Sequence, residues 1–165
     1  MGKLKILYMS LDYNLEGNGL YQNLVNGLLN KGHKIIIVRP GKETKLLKID
    51  DNLRVLDVKT GNPFEKNKFK KGINQVLLNY YFKIAIKKNL DNEKIDLVLY
   101  ATPPITLCGV IKYCKEKYKA KTFLMLKDIF PQNAVDLQMI TKNGFIYKYF
   151  RKQEKEYYKI SDFIG

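Results

Sequence analysis

Five short apolar runs alternate with helix-like segments along the chain, and this alternation restricts the fold more than any other feature of the sequence. The predicted strands are Lys5–Ser10, Lys34–Val38, Leu53–Val58, Asp96–Tyr100 and Thr122–Leu126. Runs this apolar are typical of strands covered on both faces, as in parallel sheets under crossover helices. The sequence therefore predicts an α/β fold, an open doubly wound parallel sheet, in a single domain spanning residues 1–165.

The segments between these runs carry helical periodicity and helix end signals. In Gly19–Lys31 leucines recur at four-residue spacing, and Gly32 follows where a helix commonly ends. Pro40 is predicted to close the second strand. Further helices are predicted at Lys71–Leu90, at a helix with Pro103 and Pro104 in its first turn, and near Phe145–Lys159, before another strand that opens at Asp162–Gly165.

Residue counts exclude several classes of protein. The 165 residues include two cysteines and one histidine, and no apolar run approaches the roughly 18–20 residues that span a bilayer. Cys108 and Cys114 lie in one predicted helix with their side chains pointing in different directions, so we expect reduced, cytoplasmic thiols. With His33 as the only histidine, interpreted as a polar turn residue, we expect no zinc site and no histidine-dependent triad.

The charge balance favours an anionic partner. Thirty Lys and Arg against 16 Asp and Glu give a formal net charge of +14. Such an excess suits nucleic acid, a phosphorylated substrate or an acidic membrane surface. The alternative is a general preference for lysine wherever the surface tolerates it. No nucleic-acid recognition motif is present, so nucleic acid, whose binding would depend steeply on salt, is not an expected partner.

The carboxyl ends of the predicted strands are where a doubly wound sheet places its ligands. These ends fall at Ser10–Asn18, Val38–Gly41, Tyr100–Pro104 and Leu126–Gln132. Among the residues at these ends, Asp12, Thr102 and Pro103 are predicted to lie in a cleft that binds a substrate.

The loop after the first strand ends in Gly17, Asn18 and Gly19 at a helix start. Backbone amides and the helix dipole at such a place can hold a phosphate, but the glycines are equally compatible with a tight turn. The loop lacks the third glycine of a dinucleotide fingerprint, because Gln22 occupies that position. An oxidoreductase that binds NADP through Arg39 is therefore a minor alternative.

The segment after the fifth predicted strand contains Asp128 and Gln132, with Pro131 between them. A carboxylate at this edge could orient or deprotonate a substrate hydroxyl. Asp128 could equally cap the next helix or hold the loop in place.

Two helices combine lysines with apolar side chains. Seven lysines and no acid lie between Lys66 and Leu90, at positions 66, 68, 70, 71, 83, 87 and 88. The apolar face predicted there comprises Ile73, Val76, Leu77, Tyr80, Tyr81 and Ile84, extended by Leu78, Phe82 and Ile86, with a polar strip at Gln75, Asn79 and Lys83. Such a helix suits an anionic membrane interface or a lipid acceptor, and the predicted contacts are Lys70, Lys71, Tyr80, Tyr81, Lys83, Lys87 and Lys88.

The last helix is interpreted differently. Lys148, Lys152, Lys155 and Lys159 form its basic face, opposite Ile146, Tyr149, Phe150 and Tyr157. Core packing beneath a solvated basic face is the favoured interpretation of this helix.

Three stretches resemble the N-terminal half of a retaining GT-B glycosyltransferase of family 4, a Rossmann-like domain. They are KILYMSLDYNLEGNGLYQNLVNGLLNKGHKIIIV, YATPPITLCGVIKYCKEKYKAKTFLMLKDIFPQNAVDL and YFRKQEKEYYKISDFIG. The chain is similar in particular to bacterial enzymes of capsule, O-antigen and colanic acid assembly, including N-acetyl-fucosamine transferases. Two departures are that Asn18 separates the two loop glycines and that Gln132 stands where relatives often have Glu.

The resemblance implies that no metal and no cofactor is needed, with a nucleotide-sugar as co-substrate, and it also implies roles for the candidate residues. Gly17, Asn18 and Gly19 would lie near the phosphates of a nucleotide-sugar donor, and Asp128, with Gln132, would act in the cleft. The acceptor would be a polyprenyl-diphosphate-linked sugar or another glycan, reached at the inner face of the cell membrane. Most of the donor site would belong to a C-terminal domain, in the same polypeptide or a separate chain, so this chain alone is expected to be inactive. A non-catalytic membrane-docking subunit of a split glycosyltransferase is the alternative.

Overall fold

The strands and helices follow the predicted order closely. The computed structural model describes residues 2–61 and 68–165, excluding the side chains of residues 68–73 and 75. The strands are β1 (Lys5–Met9), β2 (Lys34–Gly41), β3 (Lys45–Lys48), β4 (Leu53–Lys59), β5 (Leu97–Thr102), β6 (Lys121–Leu126) and β7 (Phe163–Ile164). The helices are α1 (Leu20–Asn30), α2 (Lys68–Asn89), α3 (Cys108–Tyr118), α4 (Gln132–Asp136) and α5 (Phe145–Ile160).

In the part of the chain that the structure describes, the strands form one seven-stranded sheet in the order β3-β4-β2-β1-β5-β6-β7. β3 runs antiparallel to β4, and the other neighbouring strands are parallel. The predicted α/β, Rossmann-like fold class is therefore confirmed. The chain winds outward from β1 through β2 and β4, then returns to β5 on the opposite side of β1. The winding direction thus reverses between β1 and β5, which is the switch point where such sheets bind ligands.

Alternate residues of the buried strands enter two separate cores. Leu7 and Met9 face the core under α2, α3 and α5, whereas Ile6 and Tyr8 face the core under α1. The two faces are therefore both apolar along β1, as expected for a strand in a parallel sheet that is covered on both sides. Gly32, which ends the turn after α1, has a φ of +83°, a conformation that favours glycine.

Two proline predictions were wrong. β2 continues through Pro40 to Gly41, where it still pairs with β4. Its pairing with β1 ends at Val38, so the lack of an N–H group on Pro40 costs no hydrogen bond to β1. Pro103 and Pro104 do not lie in a first helical turn, since α3 begins only at Cys108. The residues between them and the helix, Ile105 to Leu107, are buried in the core before the helix starts. The short elements β3 and α4 were not predicted.

α2 has more apolar surface than its contact with the core buries. Leu78, Phe82 and Ile86 are fully buried. Other residues of the predicted apolar face lie in solvent, with exposed fractions of 39–58%, at Val76, Leu77, Tyr80 and Ile84. Asn79, assigned to the polar strip, faces α3, where its Oδ1 accepts the Val110 N–H at 2.7 Å. Its amide side chain therefore joins α2 to α3.

The close approach of α2 and α3 depends on Gly109. A Cβ added there would lie 2.8 Å from Asn79 Nδ2. Since Asn79 is held by its bond to the Val110 amide, a larger residue at position 109 would push the helices apart or break that bond.

Candidate functional site

A cavity of about 320 Å³ lies at the switch point of the sheet. Its walls come from the carboxyl ends of β1, β5 and β6 and from the start of α1. The lining residues are Tyr8, Met9, Ser10, Leu11, Asp12, Tyr21, Ala101, Pro103, Pro104, Lys127 and Asp128. The cavity therefore brings together three residues predicted from the sequence, Asp12, Pro103 and Asp128, which are distant in the chain.

Two carboxylates stand at this cavity. Asp12 and Asp128 are both exposed, and the Ser10 hydroxyl donates to Asp12 Oδ1 at 3.3 Å. Solvated carboxylates of this kind accept hydrogen bonds from hydroxyl groups and can take up a proton from them. The cavity can accordingly orient a ligand that carries several hydroxyls.

Thr102 has a supporting position beneath the cavity wall. Its side chain is buried, with its hydroxyl donating to the Asp128 carbonyl at 3.3 Å and accepting the Lys127 N–H at 3.2 Å. It does not line the cavity. Its contacts fix the backbone that carries Asp128, so the loop is held by Thr102 and leaves the Asp128 carboxylate exposed.

The interpretation of Asp128 as a helix cap is wrong. α4 follows Pro131, and no side chain caps its first turn. Gln132 is the first residue of α4, and its Nε2 donates to Asp136 Oδ1 at 2.8 Å. Gln132 is not among the residues that line the cavity, so the structure does not place it beside Asp128 there.

Lys127 and Tyr21 form a polar bridge across the cavity that the sequence analysis missed. Lys127 Nζ donates to Tyr21 Oη at 2.6 Å and lies 4.3 Å from the centre of that ring. The pair joins the end of β6 to α1, and the two residues are 106 positions apart in the chain. The sequence could have pointed to Lys127 through its position at a strand end, directly before Asp128.

Tyr8 adds a buried hydroxyl to the same site. Only 1% of the residue is exposed, and among the described residues its Oη has no hydrogen-bond partner of good geometry. Burial raises the pKa of Tyr8 well above its ordinary value, so this hydroxyl stays protonated. Its ring packs edge-on against Tyr13 and at a tilt against Tyr21. Alternation along β1, which sends Tyr8 to the α1 face, was the signal that could have found it.

Gly17, Asn18 and Gly19 of the predicted phosphate loop are not among the residues that line the cavity. Gly17 and Gly19 surround the side chain of Gln22, which would lie 2.9 Å from a Cβ at either glycine. Gln22 Nε2 donates to the Asn14 carbonyl at 2.7 Å and thereby closes the loop. Asn18 is exposed, and Gly19 precedes α1 with no side-chain cap.

The α2 lysines divide into two groups. Lys83, Lys87 and Lys88 are exposed, with Lys83 Nζ 5.3 Å from the centre of the Tyr113 ring. Tyr81 is half-buried against the core. Lys66 lies outside the described residues, as do the side chains of Lys68, Lys70 and Lys71.

Other candidate groups have structural partners. His33 is buried and its Nδ1 accepts the Leu4 N–H at 3.1 Å, which agrees with a polar turn residue. Arg39 Nε pairs with Asp57 at 2.7 Å, and its guanidinium also donates to the Tyr13 carbonyl. A nucleotide phosphate at Arg39 would have to displace that carboxylate.

Neither a metal-binding cluster nor a membrane-spanning helix is found in the described part of the chain. Within residues 2–61 and 68–165, no three His, Cys, Asp or Glu side chains are grouped so that they could hold a metal ion. None of the helices described there combines the length and apolar character needed to cross a membrane.

Comparisons with known proteins support the fold. No family model and no curated protein sequence matches the chain. Among solved structures it is similar to sucrose-phosphate synthase from Thermosynechococcus elongatus, with a TM-score of 0.60 and 10% sequence identity. The match covers 98% of this chain and 42% of that protein, so the chain spans about two fifths of its length. At this identity the likeness shows a shared fold, that of part of a sucrose-phosphate synthase.

Proposed function

We propose that the chain is the acceptor-binding domain of a nucleotide-sugar-dependent retaining glycosyltransferase of family 4 that acts in bacterial surface polysaccharide synthesis. The observation that carries the proposal is the cavity at the switch point, which holds two exposed carboxylates in a fold shared with a glycosyltransferase. The acceptor is a polyprenyl-diphosphate-linked sugar, whose hydroxyls suit the carboxylates Asp12 and Asp128.

In this proposal Asp128 accepts the proton of the attacking acceptor hydroxyl. The bond from the anomeric carbon to the acceptor oxygen forms as the bond to the donor phosphate breaks, and the nucleotide leaves with that electron pair. Thr102 keeps the Asp128 backbone in place through its hydroxyl. Gly17, Asn18 and Gly19 face the donor phosphates at the amino end of α1, where backbone amides favour an anion.

We also propose that the exposed apolar side chains of α2, which we call the α2 stripe, contact the cytoplasmic face of an anionic membrane. Val76, Tyr80 and Ile84 recur at helical spacing and are about half exposed, with Lys83 and Lys87 exposed beside them. Each cation near an anionic bilayer contributes about 1 kcal/mol of attraction. The arrangement keeps the domain where a lipid-linked acceptor resides.

Binding of an acceptor analogue tests the cavity directly. We would titrate the ¹⁵N-labelled chain with citronellyl diphosphate carrying one N-acetylglucosamine, and with the same diphosphate lacking the sugar. The expected result is amide shifts around Asp12, Ala101 and Asp128, with tighter binding of the glycosylated probe. Asp128→Asn should weaken binding of the glycosylated probe about tenfold, because a hydrogen bond to a charged group contributes about 1.5–3 kcal/mol.

Asp136→Asn is the matched control, since Asp136 is exposed and does not line the cavity. Shifts confined to other parts of the chain, or equal effects of the two substitutions, would contradict the assignment of the cavity as the acceptor site.

The proposal requires a donor-binding domain in the same polypeptide or in a partner chain. The isolated chain should transfer no sugar from any nucleotide-sugar, because nothing places the anomeric carbon beside the acceptor. An immunoblot of the source cells distinguishes the two arrangements: a band of about twice 19.3 kDa indicates one polypeptide, whereas a band at 19.3 kDa with a co-purifying protein indicates a split enzyme. Sugar transfer by the purified chain would refute this requirement.

A further inference from the structure

A second exposed apolar surface lies between α4 and the start of α5. It comprises Leu137, Met139, Phe145, Ile146 and Tyr149, and we call it the α4–α5 surface. Phe145 is 94% exposed, and the other four side chains are 42–70% exposed. The last helix was expected to bury Ile146 and Tyr149 in the core, and that expectation was wrong.

The packing of α5 explains why these side chains face solvent. Tyr157 is completely buried near the carboxyl end of the helix, and Phe150 packs against Phe130 with ring centres 4.9 Å apart. Rotation about the helix axis does not separate these residues, because 3.6 residues per turn place Ile146 within about 20° of Tyr157. Ile146 and Tyr149 are exposed because the first turn of α5 lies beyond the part of the helix that packs on the core.

The exposed charges around this surface are mostly positive, with Asp136 at the end of α4 as the exposed acid beside Leu137. From Leu137 to Gln153 the chain has four cations and no acid. Arg151 pairs with the buried Glu154. Lys142, Lys148 and Lys152 remain exposed beside the apolar side chains. Large apolar and aromatic groups flanked by lysines match the interface of an anionic bilayer, whereas an acidic group would be repelled there.

The α4–α5 surface is continuous in the chain with the wall of the cavity. Asp128 lines the cavity, and the next residue, Ile129, is 60% exposed. α4 follows within three residues and leads into the surface. The surface thus follows the cavity wall in the chain, whereas α2 contributes no residue to the lining of the cavity.

We propose that the α4–α5 surface inserts its apolar side chains into the interface of an anionic bilayer and so holds the cavity beside the membrane. This inference deepens the membrane part of the proposed function, because it names a second lipid contact that adjoins the cavity. Phe145 and Ile146 supply the inserted groups, and the three exposed lysines bind anionic headgroups.

The chain contains no tryptophan, so a single introduced indole reports on one position. We would compare Phe145→Trp on the α4–α5 surface, Val76→Trp on α2 and Ile49→Trp, which is exposed in the β3–β4 turn. Each variant would be mixed with vesicles of phosphatidylglycerol and phosphatidylcholine, or of phosphatidylcholine alone. The expected result is a blue shift and quenching by brominated lipid for Phe145→Trp with the anionic vesicles, and neither for Ile49→Trp.

A second set of variants tests the charges without touching the core. Lys142→Gln, Lys148→Gln and Lys152→Gln should each weaken vesicle binding about fivefold, which corresponds to about 1 kcal/mol per cation. Lys112→Gln is the control, because Lys112 is an exposed lysine of α3 outside this surface.

The remaining outcomes overturn the inference in distinguishable ways. A shift for Val76→Trp alone would leave the α2 proposal intact and refute insertion of the α4–α5 surface. A blue shift of Phe145→Trp that appears without vesicles and grows with protein concentration would assign the surface to a second copy of the chain. The titration with the soluble acceptor analogue is independent of both results, so failure of the proposed function would be recognised separately.

Discussion

Removal of one buried hydroxyl should destabilise the domain and loosen the loop that borders the cavity. Tyr157 is completely buried, and its hydroxyl connects α5 to the segment after β5. It accepts the Leu107 N–H at 3.0 Å and donates to the Pro104 carbonyl at 2.7 Å. Tyr157→Phe keeps the ring, which packs edge-on against Tyr100, but removes both bonds.

The cost follows from the groups left without a partner. An intramolecular hydrogen bond contributes about 1 kcal/mol net, and a buried donor left unsatisfied costs about 1–3 kcal/mol. Leu107 is 1% exposed, so water does not replace the lost acceptor. We expect the free energy of unfolding to fall by about 2–3 kcal/mol, which lowers the urea midpoint by about 1 M at a slope of about 2–3 kcal/mol per M.

Urea denaturation followed by circular dichroism measures this change, and hydrogen exchange of the Leu107 amide provides a local measure. Tyr149→Phe is the control, because Tyr149 lies on the exposed side of the same helix. The reasoning is refuted if the two variants have the same midpoint, or if the Leu107 amide exchanges equally slowly in both.

Three further predictions concern helix packing, acid stability and thiol reactivity. Gly109→Ala should destabilise the domain by about 1–2 kcal/mol, because the added methyl group meets Asn79 at the contact between α2 and α3. Gly27→Ala, in open space within α1, should stabilise the domain by about 0.5–1 kcal/mol. Thermal denaturation measures both changes, and a change of the same sign in the two variants would contradict the packing argument. Burial opposes ionisation of Glu93, but hydrogen bonds from its lysine and arginine partners outweigh it and lower the pKa. The ionised Glu93 therefore stabilises the fold above the pKa of the unfolded state, and this stabilisation is lost as the pH falls through the pKa of the folded state. The difference in free energy of unfolding between wild type and Glu93→Gln, measured by urea denaturation from neutral pH downward, should shrink below about pH 4.5. Burial raises the pKa of Cys108 and Cys114 to about 12, so Ellman's reagent should label neither thiol in the native protein at mildly alkaline pH and both in urea; rapid native labelling would show that they are accessible.

Sequence patterns were sufficient for the elements that depend on local composition. The five apolar runs match β1, β2, β4, β5 and β6 to within a few residues, because runs with both faces apolar have few other stable environments. β3 escaped prediction because its four residues, KLLK, carry too little pattern to be separated from a loop. Its strand conformation comes from antiparallel pairing with β4.

The candidate site was predicted in part. The strand-end rule located Asp12, Pro103 and Asp128, since parallel strands bring their carboxyl ends to one edge of the sheet. It did not find Lys127 and Tyr21, whose 2.6 Å bond joins residues far apart in the chain. Contacts of that kind depend on how α1 is seated over the sheet, which no local pattern encodes.

The sequence by itself determined the fold class, the order of strands and helices, and the edge of the sheet at which the cavity lies, because each depends on hydrophobic periodicity and strand direction. Only the tertiary structure decided which face of each amphipathic helix is buried. α2 has more apolar surface than one core contact needs, and the structure buries the side that carries Leu78 and brings Asn79 to the Val110 amide. In α5, Ile146 shares a face with Tyr157, yet only Tyr157 is buried, because the core does not extend to the first turn of the helix. When a helix is apolar on more than one side, periodicity leaves its orientation open, and specific contacts with its neighbours choose it.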